Sequence, residues 1–346
     1  MEALRQAYET LRQREPHLYL REAAERLGVS EMELLRLDVG KQVTRLSPDI
    51  PSILESLPSM GPLKALSRNR WVVIETTGSY PRPYTERHVM VFASSGIDLR
   101  IYLLAWKHVF AVRSFGRDGQ PLYSIQFFTE WGEAVHKVYL TTAEQLPLWE
   151  SLVQTYRHAD QSIEAEPIAS APPSPYETPL SPDVQAEFLK QWGALGDTHE
   201  FFELLRRFRV GRLTAVQIAE GRYAWQLPTE ALHRVLEWAK ASQTPIMFFV
   251  GNAGIHHIYS GTIQTLSLAR GWLNVLDSHF NLHINPAGIG RLYLVCKPTK
   301  EGPIYSVEAF GPQGEEVLWV FGARKPGTAV PPSWQAYVQS LIAATA

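Results

Sequence analysis

Short runs of β-branched and aromatic residues, bounded by Gly, Pro or Asn, recur along the chain and predict strands. In the first half they fall at residues 71–76, 89–93, 99–103, 109–113, 122–128 and 135–140. In the second half they fall at 246–250, 255–259, 273–276, 282–284, 291–296, 304–310 and 316–321. Apolar positions spaced for one helical face predict helices over 20–37, 183–192, 198–208, 213–219 and 229–241. Short turns such as Gly116-Arg-Asp-Gly119 and Gly311-Pro-Gln-Gly314 join consecutive strands, so the sheets are expected to be largely antiparallel. Helices grouped before and after the strands, rather than alternating with them, give an α+β class.

The same order occurs twice. Tyr123-Ser-Ile-Gln-Phe-Phe128 resembles Tyr305-Ser-Val-Glu-Ala-Phe310, and Gly132-Glu-Ala-Val135 resembles Gly314-Glu-Glu-Val317, both at an offset of 182. Ile97-Asp-Leu-Arg100 answers Phe280-Asn-Leu-His283 at 183, and Trp149 answers Trp334 at 185. So small a drift points to a tandem duplication. Between the halves, residues 159–182 carry six prolines, four acidic residues and no Lys or Arg, a composition that runs extended and builds no core. The expected plan is a first repeat over 1–158, a Pro-rich acidic linker over 159–182 and a second repeat over 183–346.

Composition narrows the functional classes. The 346 residues are 45% hydrophobic and 20% charged with a formal net charge of −2, so no general affinity for nucleic acid or anionic lipid is implied. No apolar run approaches the roughly 18 residues of a membrane-spanning helix, so no integral membrane segment is expected. The opening residues lack the apolar core of a secretory signal, and a cytoplasmic location is expected. A single cysteine, Cys296, excludes an internal disulfide and a cysteine-cluster metal site.

Common catalytic signatures are missing: there is no GxSxG, GxxxxGK[ST] or HExxH, and no GxGxxG after a strand. His256 and His257 are adjacent in a strand-like run and point to opposite faces, which suits one surface and one packed histidine. The segment Gly196-Asp-Thr-His-Glu-Phe-Phe202 is more informative. Asp197 and Glu200 form a capping-box pattern that places His199 in a first helical turn. There the positive helix end disfavours imidazolium and keeps a ring nitrogen free for a metal. Phe201, Phe202, Leu204, Leu205 and Phe208 offer an apolar face, and Arg206, Arg207, Arg209 and Arg212 follow. A histidine with guanidinium groups one to three turns away suits a flat metal-bearing ligand with anionic edges. It equally suits an ordinary basic helix surface.

Asp197-Thr-His-Glu-Phe-Phe202, Ile246-Met-Phe-Phe-Val-Gly-Asn252, Gly271-Trp-Leu-Asn-Val-Leu-Asp277, Phe280-Asn-Leu-His283 and Lys297-Pro-Thr299 resemble the cytoplasmic haemin-transport and haemin-degrading factor family. In the first half Asp98-Leu-Arg100 and Tyr123–Phe128 match as well. The resemblance spans nearly the whole chain apart from the linker and the first two dozen residues. It implies haem b (iron protoporphyrin IX) held by the second repeat, with His199 as proximal iron ligand. By position it places Arg209, Arg212 and Lys297 near the propionates, Phe321 against the porphyrin, and Arg100 of the first repeat on the distal side. The activity implied is reductant-dependent opening of the haem ring with release of iron; the alternative is a non-enzymatic carrier that passes haem to another protein. Implied partners are haem itself, a haem importer and an external electron donor, since no flavin or nicotinamide motif is visible.

The chain departs from the family pattern at Trp319 and Phe321, where a glutamine and a tyrosine are expected, so polar contacts to haem should be fewer. Alternatives stand beside several assignments. Arg100 is either distal or paired with a neighbouring acid. Lys297, before Pro298, is either a propionate partner or an exposed turn lysine. Cys296 reads as a small buried thiol and His283 as a packed strand-end histidine. Another planar anionic ligand is a third reading of the site.

Overall fold

The computed structural model describes residues 1–116, 118–162, 169–170, 179–324 and 329–344; most of the expected linker lies outside the described residues. The chain divides into two compact units. Unit 1 comprises Met1–Arg68, Glu75–Pro172 and Asn252–His256, and unit 2 comprises Asn69–Ile74, Pro173–Gly251 and His257–Ala346. Each unit therefore takes one short segment from the opposite half of the sequence.

The first half runs α1 (Glu2–Arg14), α2 (Leu20–Leu27), α3 (Glu31–Arg36), β1 (Val43–Arg45), α4 (Ile50–Ser56), β2 (Pro62–Arg68) and β3 (Val72–Ser79). It continues through β4 (Tyr84–Glu86), β5 (Val89–Ala93), β6 (Asp98–Tyr102), β7 (His108–Phe115), β8 (Pro121–Phe128) and β9 (Ala134–Leu140) to α5 (Leu146–Tyr156). The helix expected over 20–37 is two helices. Gly28 takes a left-handed φ of 67° and closes α2. Ser30 then caps α3, accepting from the Glu33 amide at 3.2 Å while the Glu33 carboxylate accepts from the Ser30 amide at 2.7 Å.

The second half runs α6 (Pro182–Gly193), α7 (Glu200–Phe208), α8 (Arg212–Ile218), β10 (Ala224–Leu227) and α9 (Ala231–Ser242). Strands β11 (Ile246–Asn252), β12 (Ile255–Gly261), β13 (Leu266–Ala269), β14 (Trp272–Leu276) and β15 (Phe280–Ile284) follow, then β16 (Arg291–Lys297), β17 (Ile304–Phe310) and β18 (Glu316–Gly322), and α10 (Pro332–Ala343) closes the half. All predicted strands are present, with ends shifted by a few residues. The sequence pattern does not mark β1, β2, β4, β10 and β13, nor α1, α4, α5 and α10. Pro-Leu-Lys-Ala-Leu-Ser-Arg of β2 and Ala-Trp-Gln-Leu of β10 have little β propensity of their own, and ladder partners impose their conformation.

The eighteen strands among the described residues form two nine-stranded sheets. Within unit 1 five strands follow the order β1-β7-β8-β9-β2, and within unit 2 five follow β10-β16-β17-β18-β11. Neighbouring strands in these two runs pair antiparallel. The register repeats too: Gln126 faces Lys137 in unit 1 as Glu308 faces Trp319 in unit 2. Both hairpins slip register at equivalent places, between Phe127 and Phe128 and between Ala309 and Phe310. A shared bulge at an offset of 182 is the structural trace of the duplication.

In unit 2, helices α6, α7 and α8 pack through Phe188, Trp192, Phe201, Leu205 and Val216 onto Tyr293, Val295 and Phe310 of the sheet. A second cluster joins α9 and α10 to the strands through Leu236, Phe248, Val307 and Trp334. The packing of α7 and α8 on the sheet brings Arg212 and Lys297 together with Phe201, Phe202 and Phe321.

Candidate functional site

Helix α7 begins at Glu200, and His199 is its N-cap residue. The expected capping box is not formed as spaced. Asp197 instead folds back on His199: its Oδ1 accepts from the His199 amide at 2.7 Å and lies 2.5 Å from ring Nδ1. The Glu200 carboxylate accepts from the Gly196 amide at 2.8 Å. A carboxylate only accepts, so Nδ1 carries the hydrogen and Nε2 is the ring nitrogen left outside the pair. The His199 side chain is 90% exposed, which leaves that nitrogen accessible. The Asp197 carboxyl is held below its ordinary range, first by the His199 amide, against a modest burial penalty.

Arg212 opens α8 and is buried, as is Lys297 at the end of β16. Both are held by Glu308 of β17. Arg212 Nε and Nη2 donate to its two oxygens at 2.7 and 2.8 Å, and Lys297 Nζ donates to Oε1 at 2.8 Å. Ser306 completes the cluster, donating to Glu308 Oε1 at 2.7 Å. Burial by itself pushes the Glu308 carboxyl up, but Arg212 and Lys297 more than reverse this and hold it ionised well below the usual range. Burial pulls Lys297 down to about 8, with Glu308 opposing. Arg212 Nη1 is buried and has no hydrogen-bond partner. Glu316 adds a second carboxylate within electrostatic reach of both cations, so what is left uncommitted is the buried Arg212 Nη1 donor, which can receive an oxygen of an anion.

An aromatic surface surrounds these cations. The Arg212 guanidinium lies 3.8 Å from the Trp319 ring centroid and 5.5 Å from that of Phe202. Lys297 Nζ lies 5.1 Å from the Phe201 centroid and 5.4 Å from that of Phe321. Phe202 belongs by sequence to the packing face of α7, yet it is 47% exposed and meets Trp319 at 5.9 Å. The helical period explains this: Phe201, Leu204 and Leu205 share the buried face, and Phe202 is rotated away from it. Trp319, in the sequence only a departure from a motif, is the plane on which Arg212 rests.

The other sequence-derived residues are placed as follows. Arg209 is exposed at the C-cap of α7, with a left-handed φ of 52°. Lys297 is buried, not an exposed turn lysine. Arg100 lies in unit 1 on β6 and pairs with Asp98. Cys296 is a buried thiol raised by that burial. His257 is fully buried, and His256 accepts or donates at 2.8 Å with the Tyr102 hydroxyl. His283 Nδ1 meets Asn274 Oδ1 at 2.7 Å. No cluster of three or more His, Cys, Asp or Glu side chains suited to a metal occurs among the described residues. A single imidazole, a flat aromatic surface and an unpartnered buried guanidinium donor fit a planar metal-bearing ligand with a carboxylate edge better than a free ion.

Glu308 is the site residue that sequence reasoning does not find. Its one signal is a carboxylate amid Val307, Ala309 and Phe310, where the first repeat has the neutral Gln126. The first repeat fills the equivalent place differently: Glu31, first residue of α3, pairs with Lys137, the counterpart of Trp319. Cation on the helix and aromatic on the strand have become acid and cation, so the Arg212 platform exists in unit 2 and not in its counterpart.

Residues 28–156 and 209–341 both match the haemin-degrading HemS.ChuX domain. The chain is 32% identical to the hemin transport protein HmuS of Yersinia pestis, over 98% of this chain and 97% of that protein. It is 33% identical to the hemin transport protein HemS of Yersinia enterocolitica, over 92% of each. Its fold is similar to that of holo-PhuS, a heme-binding protein from Pseudomonas aeruginosa, at 38% identity and a TM-score of 0.90 over 98% of both chains. It is also similar to the Escherichia coli O157:H7 heme degrading enzyme ChuS, at 28% identity and a TM-score of 0.88 over 98% of both. No helix among the described residues is long and apolar enough to cross a membrane. With both repeats matched and full-length relatives at this level of identity, the chain belongs to the haemin-degrading HemS.ChuX family.

Proposed function

We propose that this chain binds haem b in cytoplasmic haem uptake, with His199 Nε2 as the protein ligand to iron. The observation that carries the reading is the exposed His199 ring, whose Nδ1 is taken by Asp197 so that Nε2 is left as a donor. Phe202 and Phe321 supply apolar contact to a macrocycle, and the cluster of Arg212 and Lys297, with Arg209 at the end of α7, attracts propionates. The full-length similarity to hemin transport proteins and to a heme-binding protein supports the same reading. An importer as haem donor follows from that role.

Titration of the purified protein with haemin should give a saturable Soret shift. His199→Ala should abolish it or leave a weak, nonspecific spectrum; an unchanged spectrum would remove His199 as ligand and the reading with it.

A second reading, ring opening, is favoured by the similarity to a heme degrading enzyme. When bound, haem supplies the redox chemistry, and an external reductant supplies the electrons. The chain's own residues bind and orient the substrate. Aerobic reductant with catalase present should then bleach the Soret band and release a tetrapyrrole and iron. Intact haem after that treatment leaves the carrier. The role expected of Arg100 belongs to this second reading alone. Arg100→Ala should slow bleaching while leaving haemin affinity unchanged, and a loss of affinity alone would contradict it.

A further inference from the structure

We propose that Asp197 is the positioning partner of His199, fixing the direction of the Nε2 lone pair and enriching it with electron density, an inference that rests on the reading of His199 as haem ligand. One oxygen, Oδ1, accepts from the His199 main-chain N–H at 2.7 Å and lies 2.5 Å from Nδ1 of the same residue. The ring is thereby tied to its own backbone, and its rotation about the side-chain bonds is restricted. The loop that carries Asp197 is itself anchored. Gly196 donates to Glu200 at 2.8 Å, and the Lys300 amide donates to the Gly196 carbonyl at 3.2 Å.

A full negative charge on the Nδ1–H side polarises the imidazole and strengthens Nε2 as a donor. Water screens such a pair while it is exposed. A macrocycle seated on Nε2 removes water from the ring's outer edge, and the carboxylate then acts at lower effective dielectric. A stronger anionic donor favours ferric over ferrous iron. No charged residue need touch the haem for this effect.

Asp197→Asn separates charge from shape, because the amide oxygen still accepts from the His199 amide and keeps the turn. Haemin affinity of this variant should fall about tenfold. A tenfold loss of ferric preference moves the one-electron potential of the haem complex upward by about 59 mV. Asp197→Ala, which also frees the ring, should broaden the ferric spectrum as well, and Asp197→Glu, which keeps the charge, should retain more of the parent potential than Asn. Both residues are largely exposed, and far-UV circular dichroism checks that each variant is folded. If His199→Ala loses the ferric spectrum while Asp197→Asn and Asp197→Ala keep the parent affinity and potential, the inference is overturned and the haem reading stands. If His199→Ala leaves the spectrum intact, the haem reading fails and takes this inference with it.

Discussion

Glu308 accepts from Arg212 through both carboxylate oxygens, Nε at 2.7 Å and Nη2 at 2.8 Å, in the interior of unit 2. The same carboxylate holds Lys297, so its removal strands two buried cations at once. Glu308→Gln should therefore destabilise the protein by about 3–5 kcal/mol, the scale for breaking a buried ion pair from one side. Urea denaturation measures this. A loss under about 1 kcal/mol would mean that water reaches the cluster and already screens it.

Lys297 faces Glu308, Ser306, Arg212, Cys296 and the rings of Phe201 and Phe321, with the Glu316 carboxylate also within electrostatic reach. Burial lowers it to about 8, so above that pH the cluster loses one positive charge. Haemin affinity should weaken as pH rises through about 8. Lys297→Arg should remove the inflection, since guanidinium stays charged throughout. A variant profile that keeps the parent inflection would assign it to another group.

His136 is buried in unit 1 between Ser67 Oγ and the Tyr80 hydroxyl, both at 2.8 Å. Burial holds it down to about 3, a Leu66 backbone bond opposing, against 6.5 for an ordinary histidine. Between those two values the unfolded chain binds a proton that the folded one does not. Stability is thus lost as pH falls from 6.5 towards about 3, by up to about 1.4 kcal/mol per pH unit. Replacing His136 with Gln should flatten that slope in urea midpoints measured across the window. Parallel slopes for the two proteins would contradict the assignment.

Phe202 is half-exposed beside Trp319, so its truncation costs the fold little and the site more. Phe202→Ala should leave the unfolding free energy within about 1 kcal/mol. Its haemin affinity should drop roughly threefold to tenfold, the worth of one aromatic contact. Unchanged affinity in a Soret titration would remove Phe202 from the haem surface.

Much of the fold is legible in the sequence because strand and helix periods are local. Alternating apolar runs mark β7–β9 and β16–β18 within a few residues, and identities at a nearly constant spacing expose the duplication. The helix break at Gly28 is written in Gly28-Val-Ser30, yet the apolar stripe running on through 20–37 masks it. At the site, Asp197 and His199 are readable because they lie two residues apart, although their bond replaces the expected cap.

Glu308 is not legible in this way. Nothing within one strand tells whether a carboxylate meets solvent or two cations from α8 and β16. That depends on how α8 packs on the sheet, which joins residues 96 positions apart. The same packing turns Trp319 from a departure in a motif into the plane beneath Arg212. Sequence alone determined most of the strands, their repetition and a histidine at a helix start, all set by neighbours along the chain. Tertiary structure decided which charges are buried and paired, because burial and electrostatic pairing depend on distances through space that no local pattern encodes.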